Sequence, residues 1–464
     1  MNPSANAALP SHRQQRPIRL SARGLLRHPP ARFALIARTV AQIYGGYKGV
    51  QLAGKVLGAA RVAWMYPRQH RRAAEAIYRT ATRLEGLLIK ACQFLGTRAD
   101  LLPEEYVAVL SALQDQVPPR NFTTELAPVV ERELGKSLGQ VFADFDPQPL
   151  ASASLAQVHR ARLRNGQEVA VKIQYPEVAE LVRADLANLS FFLHLLARLE
   201  RNFDLRILLR EIRRHVPLEL DFRNEARNAE RIRATLGHRS DVIVPRILHE
   251  FTTERLLVLE FTPGIKVTDV ASLQAAGIRP DVVARKLAEI FCHQILVTGF
   301  FHADPHPGNI FVRPGPQIVL LDFGLAKALP EGFRMGIARL AAAILLEDRE
   351  GIVEAFRELG FRTRQSDPST LLILADAFLG RVARSGKGYA DRDLIEEIQE
   401  NLVRTLRENP LVEVPSDILL VLRVMGLLSG IGKQLDARID LLPLLLGYLS
   451  PAAGPSPLGS ISPS

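Results

Sequence analysis

The chain has 464 residues, 47% of them hydrophobic and 23% charged. That is enough for two or three compact units with a sizeable core, and it excludes a disulfide mini-protein, an isolated peptide module and a mostly unfolded chain. The net charge of +10 is uneven: residues 1–80 hold 14 Lys or Arg against the one acid Glu75, a balance of +13, so the remaining residues carry −3. A basic end of this kind predicts an encounter with an anionic surface, while no nucleic-acid partner is expected.

In chain order, residues 1–75 read as a basic segment, partly disordered. Between Phe33 and Trp64, apolar residues alternate with Arg38, Lys48, Lys55 and Arg61, and Gly45, Gly46, Gly49 and Gly54 interrupt them. Three readings stay open there: an amphipathic helix on an anionic membrane, a helix packed on its own domain, and, from the Arg-, Ser- and Ala-rich start, an organelle transit peptide. Residues 76–145 predict a helical extension, with strong periodicity from Ala74 to Leu95 and from Glu104 to Gln114. From 146 to 265 the texture is that of a small lobe. Strands are expected over Ser154 to Leu163 and Val169 to Gln174, with the hairpin signal Asn165-Gly166 between them. One long helix, about Pro176 to Leu236, and strands near Val242 to Ile247 and Leu256 to Phe261 follow.

Residues 266–442 predict a second, mostly helical lobe with short strands at Ile310 to Val312 and Ile318 to Leu321, and 443–464 a disordered tail. No stretch of about 20 apolar residues is present to span a bilayer, since Lys48, Lys55, Arg61, Arg423 and Lys433 break the nearest candidates. Cys92 and Cys292 lie too far apart in kind and position for a disulfide framework or a zinc site, which fits reduced, intracellular surroundings. The expected location is the cytoplasmic face of a membrane, peripherally held.

Two hairpin strands, a lysine on the second, a long helix, more strands and a helical half with a short strand pair give an α+β, bilobal, kinase-like order. Lys172 closes Val169-Ala170-Val171-Lys172, where period-2 alternation can aim its ammonium at nucleotide phosphates. Asp304 and Asn309 stand five apart in His302-Ala303-Asp304-Pro305-His306-Pro307-Gly308-Asn309. That is the catalytic-loop spacing that sets a carboxylate near the transferred phosphate and an amide oxygen on magnesium. Asp322-Phe323-Gly324 follows a strand and offers Asp322 as the second magnesium ligand. A metal triad of His302, Asp304 and His306 would leave Lys172 and Asp322 unexplained.

The departures from ordinary kinases are equally informative. In place of a glycine-rich loop the chain has Ala151-Ser152-Ala153-Ser154, and alanine lacks the positive φ values that glycine allows. Ala303 stands where an arginine would answer a phosphorylated activation loop, and no Ala-Pro-Glu motif or peptide platform follows Gly324. At these residues the chain resembles the UbiB family of atypical kinases, also called ABC1 or ADCK, the AarF domain-containing proteins, over about Arg79 to Leu442.

The resemblance implies that Ala151 to His159 is the family's alanine-rich loop and Asp304 to Asn309 its catalytic loop. Lys90-Ala91-Cys92-Gln93 stands for the family's Lys-x-Gly-Gln, with Cys92 replacing the glycine. Glu219-Leu220-Asp221 matches Glu-x-Asp, and Glu225 is the ion-pair partner of Lys172. It implies further that Glu219 pairs with Lys90, placing the N-terminal helices over the substrate entrance. On the residues alone, one helix could present Glu219 and Glu225 on different faces, or Glu219 and Asp221 could simply solvate a helix start.

The expected site is thus catalytic at Asp304, Lys172 and Glu225, and nucleotide-binding at Ala151, Ser152, Ala153, Ser154, Lys172, Glu260, Asn309 and Asp322. Magnesium falls to Asn309 and Asp322, and the family motif comprises Lys90, Gln93, Glu219 and Asp221. The cofactors are ATP or ADP with Mg. The implied role is that of an ATPase-like factor in the handling of a membrane isoprenoid lipid such as ubiquinone, with quinone-biosynthesis proteins as partners. A small-molecule phosphotransferase and a nucleotide-binding pseudokinase scaffold are the alternatives. Since the motifs begin at Lys90, deleting residues 1–70 is expected to remove membrane contact and spare nucleotide binding.

Overall fold

The computed structural model describes residues 28–96, 102–110, 113, 119–199, 220–363, 368–375, 411–413, 415–437 and 447–448. Helices α1 (Pro29–Leu57), α2 (Ala59–Val62), α3 (Met65–Leu84), α4 (Leu87–Gly96), α5 (Glu104–Leu110), α6 (Ala127–Leu134) and α7 (Leu138–Val141) come first. On α3, Ala73, Ala74, Ala81 and Leu84 are buried while Arg71, Arg72, Arg79 and Arg83 face water, the division that a 3.6-residue period imposes on a docked helix. The single helical run expected from Ala74 to Leu95 is broken at Glu85 and Gly86, whose φ angles of 55° and 60° turn the chain and let α4 fold back on α3.

From Pro29 onward the basic segment is a helix packed against α3 and α8 (Val178–Leu199). Its buried residues are Arg32, Ile36, Thr39 and Val50. Arg32 reaches Asp185 on α8 through both carboxylate oxygens and donates to the Leu84 carbonyl at 2.8 Å. The packed reading therefore holds for one face, while Phe33, Leu52, Val56, Leu57 and Trp64 remain exposed.

The first sheet is antiparallel throughout, in the order β1 (Phe142–Ser152), β2 (Ala156–Leu163), β3 (Glu168–Gln174), β5 (Leu256–Glu260). Strand β1 escapes the sequence pattern because Pro147 and Pro149 interrupt it; proline cannot donate to a ladder, and β1 tolerates both as an edge strand with register shifts. It begins at Phe142, four residues before the expected lobe boundary at 146. Val169, Val171 and Ile173 on β3 are wholly buried in one cluster with Ala74, Leu87, Cys92, Leu110 and Val130. The helical extension and the small lobe thus share one core rather than forming two units divided at residue 145.

A second sheet runs β4 (Val242–Ile243), β9 (Gln317–Leu320), β8 (Ile310–Arg313), β6 (Ile265–Lys266). Because β4 pairs in parallel with β9, it belongs with the larger lobe, not with the small lobe to which its sequence position assigned it. Strands β7 (Phe300–His302) and β10 (Ala326–Ala328) pair with each other and are too short to leave a periodic signal. Helices α9 (Phe222–Leu236), α10 (Val270–Ala275), α11 (Pro280–His293), α12 (Phe333–Leu345), α13 (Arg349–Glu358), α14 (Ser369–Ala375) and α15 (Ser416–Gln434), with a two-stranded antiparallel pair of Arg362–Thr363 and Leu411–Glu413, make up the rest of the larger lobe among the described residues. Their core holds Ile290, Phe291, Phe301, Val312, Leu320 and Phe356.

Tyr448, in the stretch expected to be disordered, lies against α11 and donates its hydroxyl to the Glu289 carbonyl at 3.2 Å. Among the described residues no helix is long and apolar enough to cross a membrane.

Candidate active site

Alternation on β3 sends Val171 and Ile173 into the shared core and Lys172 to the opposite face. Helix α9 starts at Phe222, with Asp221 as its cap: the Asp221 side chain accepts from the Arg223 N–H at 3.0 Å and pairs with the Arg223 guanidinium. The long helix expected from about Pro176 to Leu236 therefore does not run through residues 220 and 221, and Glu219 lies outside the described residues. Glu225 sits on the buried stripe of α9 with Phe222, Ala226, Ala229 and Ile232. A lone carboxylate there would carry a steep desolvation cost, and the Lys172 ammonium meets it by donating to both oxygens at 2.8 Å.

Asp322 adds the third member, with Oδ1 3.6 Å from Lys172 Nζ. Its φ of 58° lies in the left-handed region that aspartate tolerates better than most residues. The turn is held by the Gly324 N–H, 3.3 Å from Asp322 Oδ1, and by Asn228, whose Nδ2 donates to the Phe323 carbonyl at 3.0 Å. A Cβ on Gly324 would stand 3.3 Å from Asp322 Oδ1, crowding that carboxylate, and 3.9 Å from Glu225 Oε2, an ordinary contact.

Burial works against the Asp322 charge, but the Lys172 and Lys90 ammonium groups and the Gly324 N–H outweigh it and hold the carboxyl down at about 2, although 47% of the side chain's surface stays open. Desolvation pulls the Lys172 ammonium down, yet Asp322 and Glu225 more than offset it and raise its pKa above that of ordinary lysine, with Lys90 acting against them. Lys90, on α4, is thus within electrostatic reach of both. Gln93 lies on the same helix, with its side chain outside the described residues. Cys92 points into the core instead, where burial pushes its thiol up to about 12.

The catalytic-loop candidates form a second cluster, joined to the first through Leu321. The Leu321 N–H donates to the Asn309 carbonyl at 2.9 Å, and its own carbonyl faces His302 Nε2 at 3.1 Å. The other ring nitrogen of His302, Nδ1, accepts from the Asp304 N–H at 3.1 Å, so Nε2 carries the proton. Both nitrogens of this buried ring are spent holding the loop, while the exposed His306 uses only Nδ1, which accepts from the Gly308 N–H at 3.2 Å; among the described residues no group of three His, Cys, Asp or Glu side chains is placed to hold a metal ion, so the triad of His302, Asp304 and His306 does not form.

Replacing His302 with alanine strands two buried polar groups and should destabilise the protein by about 3 kcal/mol. Denaturant titration measures this, and an unchanged midpoint would contradict the assignment. Asn309 Nδ2 lies 3.4 Å from the Asp304 carbonyl, which leaves its Oδ1 unengaged among the described residues.

Asp304 itself is engaged by a residue the sequence did not single out: Arg423 on α15 donates from Nη2 to Asp304 Oδ1 at 2.8 Å. Over the small lobe, the loop between β1 and β2 is closed by the Ala153 N–H on the Ala156 carbonyl at 2.8 Å. Ala151 is exposed, Ser152 and Ala153 are half-buried, and Ser154 is buried with its hydroxyl lacking a partner among the described residues.

The base of this loop is braced by Gln157 and His159, which end the alanine-rich stretch, and by Arg120 and Asp146, which the sequence did not single out. Gln157, fully buried, accepts from the Arg120 N–H at 2.9 Å and lies 3.0 Å from His159 Nε2; the His159 Nδ1 donates to the Asp146 carbonyl at 2.9 Å. Arg120 leaves no local signal because it lies 37 residues from Gln157 in the chain. Glu260 ends β5, exposed, with its N–H on the Arg246 carbonyl at 2.9 Å.

A carboxylate and an amide oxygen next to a paired lysine can hold a divalent cation and a polyphosphate together, and a second carboxylate beyond them can orient an acceptor. The chain matches the ABC1 atypical kinase-like domain over residues 112–356. AarF domain-containing protein kinase 1 of Xenopus laevis is 35% identical over 377 residues, which are 80% of this chain and 72% of that protein. AarF domain-containing kinase 1 of Drosophila melanogaster is 33% identical over 377 residues, 80% of this chain and 73% of its own length. The solved complex of Rv3197 with erythromycin from Mycobacterium tuberculosis matches with a TM-score of 0.61 at 24% identity, covering 82% of this chain and 97% of that one, a likeness of fold.

Proposed function

The chain belongs to the ABC1 family of atypical kinase-like proteins, and from that premise we propose that it binds ATP or ADP with Mg, hydrolyses or transfers the terminal phosphoryl group, and does so at an anionic membrane in support of an isoprenoid lipid such as ubiquinone. The observation that carries the nucleotide part is the assembled set of Lys172 on both oxygens of Glu225 with Asp322 3.6 Å away. In this reading Lys172, oriented by Glu225, meets the phosphates, and Asn309 and Asp322 hold the metal. Asp304 faces the acceptor, and Ala151 to Ser154 together with Glu260 line the nucleotide. Magnesium, when bound, neutralises phosphate charge as the terminal group leaves.

The test is titration with Mg-ATP and Mg-ADP, followed by hydrolysis assays. Failure to bind either nucleotide would refute the reading. Comparing quinone intermediates in cells with and without the protein addresses the lipid, and quinone-biosynthesis proteins are the proposed partners.

The membrane part rests on exposed Leu52, Val56, Leu57 and Trp64 beside Lys48, Lys55, Arg61 and Arg68. Binding to acidic vesicles should fall steeply as salt rises to 0.5 M, where screening acts within roughly 4 Å, and leave a salt-resistant part from inserted side chains. Changing Leu52, Leu57 and Trp64 together to serine should weaken that remainder at least about tenfold, since each fully buried large apolar side chain contributes ~1.5–3 kcal/mol. Co-sedimentation equal to that of the parent would place the membrane surface elsewhere.

A further inference from the structure

We propose that Arg423, reaching in from the C-terminal helix α15, supplies the cation that meets the transferred phosphoryl group beside Asp304, a position for which the catalytic loop itself offers no Lys or Arg. This rests on the nucleotide reading above and extends it to a residue outside the kinase-like motifs. From Asp304 to Asn309 the loop reads Asp-Pro-His-Pro-Gly-Asn, and the preceding Ala303 is wholly buried. Its one ionisable nitrogen side chain, His306, accepts a backbone N–H within the loop. The Arg423 Nη2 stands 2.8 Å from Asp304 Oδ1, and its other N–H groups have no partner among the described residues.

The helix holds this guanidinium in place. Ile418 before it and Val424 and Ile431 after it are buried in the core, and Asp417 pairs at 3.0 Å with Lys327 on β10, just past the Asp322 turn. An arginine in a run that is otherwise apolar from Ile418 to Met425 is costly to place and gives little back in stability. The pair with Asp304 leaves 22% and 32% of the two side chains exposed, a setting where ion pairs contribute about 0–1 kcal/mol. A guanidinium offers five N–H donors in a fork that matches phosphoryl oxygens, so one can stay on Asp304 while others face the incoming anion. In the step this serves, the bond from phosphorus to the acceptor oxygen, water or a hydroxyl, forms as the bond to ADP breaks. ADP leaves with the electron pair, and the acceptor proton passes to Asp304. Arg423 bonds most strongly to the equatorial oxygens as their charge spreads.

The experiment uses the full chain and Mg-ADP with and without aluminium fluoride, a mimic of the phosphoryl group in transfer. Arg423→Gln keeps a hydrogen bond to Asp304 without the charge, and Arg423→Lys keeps the charge. Arg423→Gln should bind Mg-ADP within threefold of the parent yet lose at least ~50-fold in affinity for Mg-ADP with aluminium fluoride, and its kcat for ATP hydrolysis should drop about 10²–10³-fold with little change in KM. Arg423→Lys should recover at least fivefold of that loss. Near-parental Mg-ADP affinity serves as the check on folding in both variants. If Arg423→Gln binds the mimic like the parent, or turns over as fast or faster, Arg423 is a docking contact or a brake and the proposal falls while the nucleotide reading stands. If the parent itself gains nothing from aluminium fluoride, the proposal for Arg423 falls, and the nucleotide reading falls with it only if the parent also fails to bind Mg-ADP and Mg-ATP.

Discussion

Asp322→Asn is expected to lower affinity for Mg-nucleotide by about 100-fold or more while leaving metal-free nucleotide binding unchanged or stronger. Asparagine has the same shape and tolerates the left-handed backbone that Asp322 adopts at φ 58°, so the turn should survive and the change isolates the charge. The parent carboxylate faces the Lys172 and Lys90 ammonium groups, and removing it takes away the anion a divalent cation would share with phosphate. Titration calorimetry with Mg-ATP, and with ATP plus a chelator, separates the two effects; parental Mg-ATP affinity in the variant would overturn the site. The pH dependence has a definite sign. The folded-state pKa of about 2 lies below that of free aspartate, so the stabilising charge is fully present above pH ~4 and is lost as pH falls toward 2. Binding between pH 5 and 8 should therefore not titrate through Asp322.

The parts of this site that are legible in sequence are those whose partners lie within one local element. Lys172 follows from alternation along a strand, and Asp304 with Asn309 from spacing inside one loop. Asp322 follows from its place after a buried strand. What is hidden depends on tertiary contact. Arg423 lies 119 residues from Asp304 and reads as an interruption in an apolar helix. Asn228 braces the Phe323 carbonyl across 95 residues. Strand β1 hides because its prolines argue against a strand unless its edge position is already known. The break at Glu85 and Gly86 hides because hydrophobic periodicity continues on both sides of a turn made by two positive φ angles. Asp221 is a helix cap bonded to Arg223, the helix-start role that its residue type and place in the chain had left open beside the family motif.

At the N-terminus, tertiary contact likewise ties the basic segment to the small lobe, and a truncation there cuts into the fold. Arg32 and Asp185 are 2% and 0% exposed, and their ion pair joins α1 to α8 while Arg32 also holds the Leu84 carbonyl at the end of α3. Ile36, Leu84 and Phe192 pack around it. Deleting residues 1–70 would strand the Asp185 carboxylate and strip a face of the small lobe, so loss of nucleotide binding after such a deletion would report unfolding rather than function. Asp185→Ala makes the point directly: it leaves a buried guanidinium without its counter-charge and should destabilise the protein by about 3–5 kcal/mol. The double change Arg32→Met with Asp185→Leu removes both charges and refills the volume, and it should return to within about 1 kcal/mol of the parent. Denaturant midpoints for the three proteins decide it, with limited proteolysis around Gly58 and Trp64 reporting release of α1. A single Asp185→Ala variant as stable as the parent would mean that α1 is not held to the lobe through this pair.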